Sequence, residues 1–410
     1  MKVLVIGKGG REHALAKALA ASESCEQLYC APGNPGMAQL GKCVPISDSD
    51  VPSMVQFAKD HEIDLAVIGP EAALAAGMAD ALSEAGVKVF GPTKAATQVE
   101  SSKDFAKDIM TRYGIPTAAY RTFEDKDSAA EYVRSQGAPI VIKEDGLKAG
   151  KGVTVASTVD EALEAVDAAF SSDGGRVVIE DCLEGFEYSL IALVHGETVV
   201  PLEVAQDHKR VGDGDTGPNT GGMGSYSPVK KITPAIIDET VKTVMEPMAK
   251  ALAAEGVPFT GFLYGGLMLT EDGIKVIEFN ARFGDPEAEV ILPRLESDLI
   301  EAIEAVMNDE KPELKWSDKT ALGVVLASTG YPASSTKGSV ITGVDDVDGL
   351  VFHMGTKMNG SDLVTDGGRV LMVTELGDDL ESAWRKAYGQ VARIGCDDLF
   401  YRTDIGKKDM

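Results

Sequence analysis

The chain has 410 residues, 25% of them charged and 44% apolar, and a formal net charge of −26, with an isoelectric point near 4.6. That length allows roughly two to four domains with sizeable cores, and the composition is that of a soluble globular protein. The acidic balance repels nucleic acid and anionic membrane but leaves small anionic metabolites open, because local Lys and Arg decide those.

No apolar run approaches the length of a membrane span. The first apolar segment, residues 3–6, is broken at Gly7 and is too short for the core of a secretion signal. The five cysteines are odd in number and show no Cys-x-x-Cys or zinc spacing. They predict reduced thiols and a cytoplasmic protein.

In chain order, residues 3–6 read as a strand leading through Gly7-Lys-Gly-Gly-Arg-Glu12 to a helix over 12–21. Two glycines match a dinucleotide fingerprint, but Glu12 stands where a small residue is needed, and a carboxylate would face the pyrophosphate. A nicotinamide site is therefore a poor reading. Free N–H groups at the helix start, with Arg11, suit a single phosphate. Residues 65–68 and 87–90 are further strands, ending at Gly69-Pro-Glu71 and Gly91-Pro92. This βαβ rhythm predicts a parallel sheet whose loops form a cleft, shared by Gly33-Asn-Pro-Gly36.

Residues 101–113 read as a helix carrying Lys103 and Lys107. Residues 138–142 form a short apolar strand, followed by Lys143 and the run Glu144-Asp-Gly-Leu-Lys-Ala-Gly-Lys-Gly-Val153. Gly146, Gly150 and Gly152 permit close backbone approach, and Lys143, Lys148 and Lys151 add positive charge. Such a loop makes an anion-binding nest, or simply a hairpin with solvated lysines. It is not a Walker loop, since no Gly-Lys-Ser/Thr enters a helix.

Residues 205–228 hold six glycines and no apolar periodicity, which predicts a long loop that either binds a substrate or is disordered. Its singly placed Asp207, His208, Lys209 and Arg210 favour the substrate loop. Residues 277–283, Ile-Glu-Phe-Asn-Ala-Arg-Phe, alternate. As a strand they bury Ile277, Phe279, Ala281 and Phe283, and present Glu278, Asn280 and Arg282 on one face. Two hard oxygen ligands beside a guanidinium suit Mg²⁺ bridging phosphates, with the arginine on an anion. Residues 321–327 open a last, β-rich region.

Taken together, Gly9-Gly-Arg-Glu-His-Ala14, Gly33-Asn-Pro-Gly36, Gly69-Pro-Glu71, Lys143–Gly152, Gln206-Asp-His-Lys-Arg210, Gly217-Pro-Asn-Thr-Gly-Gly-Met-Gly224 and Arg282-Phe-Gly-Asp-Pro-Glu287 resemble the phosphoribosylamine–glycine ligase family of the ATP-grasp superfamily. The match runs from the first strand into the last region. One departure is Glu144, where the family commonly has alanine. The resemblance implies an α/β and α+β multidomain chain. An N-terminal parallel-sheet domain would span 1–102 and an ATP-grasp domain 103–313, with a lid at about 115–190. A β-rich domain would span 314–410.

It also implies a reaction, the joining of glycine to 5-phosphoribosylamine with ATP through glycyl phosphate, by a monomer using Mg²⁺ or Mn²⁺. Lys103 and Lys143 would hold ATP phosphates under Gly150, Lys151 and Gly152. The hinge Glu180, Asp181 and Leu183 would read adenine, and Glu187 the ribose. Glu278 and Asn280 would bind the metal. The neighbouring strand, residues 264–269, offers no second carboxylate, so a second tightly held ion is not expected. Arg282 would hold the transferring phosphoryl group or the glycine carboxylate, and Asp207 the glycine ammonium. Lys209 and Arg210 would reach the ribose phosphate or remain solvated, and His208 is either structural or functional. Gly9, Gly10, Arg11, Asn34, Gly36 and Glu71 would form the phosphoribosylamine site. The alternatives are another ATP-grasp ligase of the purine pathway, which would lack the Gly217–Gly224 run, and a non-catalytic nucleotide binder, in which Glu278, Asn280 or Arg282 would have decayed.

Overall fold

The computed structural model describes residues 1–147, 152–171 and 175–410. Its first part is a five-stranded parallel sheet centred on the strand Lys2–Gly7, flanked by Gln27–Pro32 and Leu65–Ile68. Val3, Leu4, Val5 and Ile6 are all 0% exposed, because helices cover both faces of a parallel sheet. The helix Gly10–Ala20 starts where that central strand ends. Glu12 is buried here, not turned to a ligand, and accepts the Gly9 N–H at 2.6 Å. A Cβ at Gly69 would lie 2.0 Å from a Glu12 oxygen, so glycine there makes room for the carboxylate.

A four-stranded antiparallel sheet follows, in the order Tyr120–Phe123, Val177–Asp181, Ile140–Glu144, Val153–Ala156. It packs with the helices Lys126–Gln136 and Val159–Ser171 around a core of its own that includes Phe123, Ile142, Val166 and Ile179. Asp125 caps the first of these helices by accepting the Ser128 N–H at 2.8 Å.

The next antiparallel sheet runs Thr198–Pro201, Phe186–His195, Thr260–Thr270, Gly273–Asn280. Two expectations change here. The strand ends at Asn280, so Arg282 lies past it. Gly266 pairs with Glu278 but Leu267 with Val276, so Ile277 is an extra, bulged residue. Strict alternation breaks at Ile277, which is half-buried, while Phe279, Ala281 and Phe283 are buried as expected.

Residues 205–228 are not an irregular loop. Arg210–Gly212 and Thr216–Asn219 form a hairpin. Gln206–Asp207 and the fully buried Gly224–Ser227 join a six-stranded sheet with Thr320–Ser328, Arg369–Gly377, Leu350–His353 and Leu399–Phe400. The pairing of Gly224–Ser227 with Thr320–Ser328 joins segments about a hundred residues apart. Four residues reading Gly-Ser-Tyr-Ser carry no periodic signal of their own.

Candidate active site

A cleft of about 330 Å³ lies where the three antiparallel sheets and the N-terminal helix meet, and it continues into a second space of about 610 Å³ beside residues 180–183. Of the residues expected from the sequence, Arg11, Glu71, Lys103, Lys143, Gly152, Glu180, Asp207, Lys209, Glu278, Asn280 and Arg282 line the first space. Asp181, Leu183 and Glu187 line the second, together with Arg210 and His208. Gly150 and Lys151 lie outside the described residues, as does Lys148.

Lys143 is the last residue but one of the strand Ile140–Glu144 and is 4% exposed. Its ammonium donates to the Ile277 carbonyl at 2.8 Å and lies 2.9 Å from a Glu180 oxygen. The other Glu180 oxygen is 3.0 Å from Lys107, which also donates to Thr117 at 2.7 Å. The hinge carboxylate therefore bridges two buried lysines. Burial and the neighbouring Lys143 pull the Lys107 pKa down to about 8, against the pull of Glu180. Lys103 opens the helix Lys103–Arg112 and donates to the Gly146 carbonyl at 2.9 Å. Burial lowers its pKa, with Glu278 opposing.

Two carboxylates in the cleft are tuned in opposite directions. Burial disfavours the Glu278 anion, but Lys209, Lys143, Lys103 and Arg282 outweigh it and hold its pKa below the usual range. Burial pushes Asp207 well up, Lys209 opposes this, and Glu287, Glu187 and Glu278 add to it. Burial also opposes the Lys209 charge, but Glu187 and Asp207 dominate and raise its pKa. Lys209 pairs directly with Glu187.

At the far end, Arg282 lies 3.1 Å from Glu100 and 3.5 Å from Glu71. Arg11 donates to Glu12 at 2.5 Å and to the Phe283 carbonyl at 3.3 Å. Glu100 also accepts the Ala281 N–H at 2.7 Å, which ties the N-terminal part to the end of the strand Gly273–Asn280. Arg369, from the last sheet, donates to the carbonyls of Gly221 at 2.7 Å and Asp285 at 2.9 Å, and lies 2.9 Å from the Asp285 carboxylate. Glu100, Lys107 and Arg369 were not singled out from the sequence as site residues, and nothing local marks them.

Gly9, Gly10, Asn34 and Gly36, expected in substrate binding, do not line the cleft. Asn34 donates to the carbonyls of Lys8 at 2.8 Å and His353 at 2.9 Å, and accepts the Met37 N–H at 2.9 Å. Its amide is spent on joining the first part of the chain to the last. A Cβ at Gly36 would meet His13 at 2.2 Å, and one at Gly10 would meet Glu289 at 2.2 Å. These glycines serve close packing.

Glu278 and Asn280 offer one carboxylate and one amide oxygen beside a lysine-lined space. Among the described residues no cluster of three or more His, Cys, Asp or Glu stands at metal-ligand spacing. The donor set therefore fits a hard divalent ion that takes its remaining ligands from phosphate and water, and does not form a protein cage. Tyr264, opposite Asn280 in register, supplies no second carboxylate.

Known proteins match this arrangement along the whole chain. Family models for the N, ATP-grasp (A) and C domains of phosphoribosylglycinamide synthetase match residues 1–100, 101–288 and 321–408. A phosphoribosylamine–glycine ligase of Halalkalibacterium halodurans is 52% identical, covering 100% of this chain and 97% of its own. One from Listeria monocytogenes is 50% identical over 100% of both. The crystal structure of the Thermotoga maritima phosphoribosylamine–glycine ligase superposes with a TM-score of 0.87 at 34% identity, covering 99% of this chain and 100% of that one. The fold alone is shared with a biotin carboxylase of Campylobacter jejuni, at a TM-score of 0.71 and 14% identity. The chain belongs to the phosphoribosylamine–glycine ligase family, ATP-dependent ligases of the ATP-grasp fold in purine biosynthesis.

Proposed function

We propose that this cleft joins glycine to 5-phosphoribosylamine at the expense of ATP, giving glycinamide ribonucleotide, ADP and phosphate. The observation that carries the reading is the meeting, in one space, of Lys103 and Lys143 with Glu278, Asn280 and Asp207, and of Arg11 and Arg282 beyond them. A glycine carboxylate oxygen attacks the γ-phosphorus, and the bond to the bridging oxygen of ADP breaks. The amine of phosphoribosylamine then attacks the carbonyl of glycyl phosphate. Phosphate leaves and the amine loses a proton. The protein positions the reactants and balances charge, and needs no nucleophilic side chain.

Lys103 and Lys143 hold the phosphates, the Glu180–Leu183 hinge reads adenine, and Glu187, beside Lys209, faces the ribose. A divalent ion, Mg²⁺ or Mn²⁺, fits Glu278 and Asn280 and neutralises phosphate charge when bound. Asp207 stands among acids with too little positive charge nearby, and the glycine ammonium supplies what is missing. Arg282 meets the phosphoryl group or the glycine carboxylate. Arg11, with Glu71, faces phosphoribosylamine. A lid at about 115–190, with its separate core, closes over ATP to keep water from glycyl phosphate. Divisions at 102/103 and 313/314 belong to the same reading. So does a monomer, since one chain supplies every group named, and so does a reducing cytoplasm, since all five cysteines are free.

The test is ADP release with each substrate omitted in turn. Release that requires glycine, with amide formation that requires phosphoribosylamine, is expected. Release indifferent to glycine contradicts the reading.

A further inference from the structure

The last ten residues reach back to the segment that carries Asp207 and Lys209. Arg402 is 1% exposed. It donates to the Arg210 carbonyl at 3.0 Å and to Asp215 at 2.9 Å, and grips Asp404 with two bonds of 2.8 and 2.9 Å. Asp404 in turn accepts the Gly214 N–H at 2.8 Å, and Lys408 pairs with Asp215. The Gly406 N–H donates to His208 Nε2 at 3.1 Å. Gly406 adopts φ +76°, in the left-handed region that favours glycine, with Leu322 closing the space where a Cβ would stand.

His208 is pinned on its backbone as well. Its N–H donates to the Gly224 carbonyl at 2.9 Å, and its carbonyl accepts the Met223 N–H at 2.8 Å. Asp207 and Lys209 flank it, and both line the main cleft, which His208 does not. The ring is 7% exposed, and burial with Arg402 nearby lowers its pKa to about 4. It is neutral, with Nε2 the acceptor.

We propose that His208 is a positioning residue. Through Gly406 it latches the C-terminal tail to the 206–212 segment and fixes Asp207 and Lys209 at the glycine end of the cleft. This rests on the function proposed above and names what holds that end in place. Among the described residues, the polar partners of Arg11 are Glu12, Phe283 and Glu71, none of them in the latch. A displacement of about 1 Å at a reacting centre costs on the order of 10²-fold in rate, so release of the latch acts on glycine chemistry before it acts on folding.

Steady-state constants for His208→Leu and His208→Gln, with melting curves, test this. The leucine variant is expected to lose about tenfold or more in kcat and to raise the glycine KM, with the phosphoribosylamine KM near wild type. Glutamine, which keeps an acceptor at the same reach, is expected to recover most of the loss. A folded leucine variant with wild-type constants overturns the proposal, as does a folded glutamine variant no better than leucine. If the leucine variant does not fold, exposed Lys408→Met decides. A raised glycine KM at unchanged Tm supports the latch, and unchanged constants overturn it. A wild-type protein indifferent to glycine contradicts the proposed function instead. The latch is then judged by amide exchange across 206–212, which must rise in the leucine or methionine variant.

Discussion

The two ends of the cleft are built differently. At the nucleotide end, Lys143, Glu180 and the bulged strand ending at Asn280 lie on neighbouring hydrogen-bonded strands or contact them directly. At the other end, Arg11, Glu71, Glu100, Arg282 and Arg369 come from five separate stretches of chain. The first rests on strand pairing within two sheets and one bond across them, the second on the docking of several units. Damage at the nucleotide end should stop phosphoryl transfer, while damage at the other should separate one substrate's binding from another's.

Arg282 belongs to both ends and gives the largest effect. Arg282→Ala should lose about 10²–10³-fold in kcat, or about 3–4 kcal/mol, as for a well-placed charge-stabilising donor. It should also lower Tm, because Glu71 and Glu100 each lose an ion-pair partner. Arg282→Lys should recover little turnover, since a point charge cannot span both carboxylates and a ligand. Near-wild-type kcat in the alanine variant removes Arg282 from the chemistry.

Glu278→Ala and Asn280→Ala should each reduce divalent-ion-dependent turnover by about 10²-fold, far more than they reduce stability, as preorganised charge stabilisation implies. Titrating Mg²⁺ against ADP release, beside melting curves, checks this. Equal losses of activity and stability point to a structural role.

These two residues were legible in the sequence because a strand face is a local pattern, and so was Lys143 before its glycines. Arg369 and Glu100 were not, because their partners lie about eighty and a hundred and eighty residues away. Glu12 stands out in the sequence as a carboxylate at a fingerprint glycine position, but its burial against Gly7 and Gly69 depends on the next strand. The 205–228 segment looked irregular because its strands are two to four residues long and carry no apolar period, and Gly224–Ser227 takes part of its pairing from residues 320–328. The expected strand over 277–283 missed the bulge at Ile277, which is set by register with the neighbouring strand.

Arg11→Ala sharpens the contrast between the ends. It should raise the phosphoribosylamine KM by about tenfold, the scale of a lost charge-assisted hydrogen bond, and leave the ATP KM near normal. The opposite pattern would move Arg11 to the nucleotide end.

The stability effects of titrating Asp207 and Glu278 are the smallest, and they run in opposite directions. The raised pKa of Asp207 means that the native state binds its proton more tightly than the unfolded chain. Its stabilising contribution is present below the ordinary carboxylate pKa and lost as pH rises. Asp207→Asn should therefore melt above wild type at neutral pH, with the gap closing toward pH about 4, while glycine-dependent turnover falls. The depressed pKa of Glu278 reverses the sign. Its contribution is present above the ordinary value and lost as pH falls, so Glu278→Gln should melt below wild type at neutral pH and converge in acid. Paired melting curves from pH about 3 to 8 check both, the Asp207 gap changing above pH about 4 and the Glu278 gap below it, and gaps that stay constant in those windows contradict the assignments.

The central claim is that glycine carboxylate attacks ATP in this cleft before the amide forms. Glycine labelled with ¹⁸O in both carboxylate oxygens tests it most directly, with the released phosphate analysed by mass spectrometry after turnover with ATP and phosphoribosylamine. Transfer of one label to each phosphate is predicted, because the attacking oxygen leaves with the phosphoryl group. Unlabelled phosphate would mean that ATP is cleaved by water and that the cleft does not make glycyl phosphate.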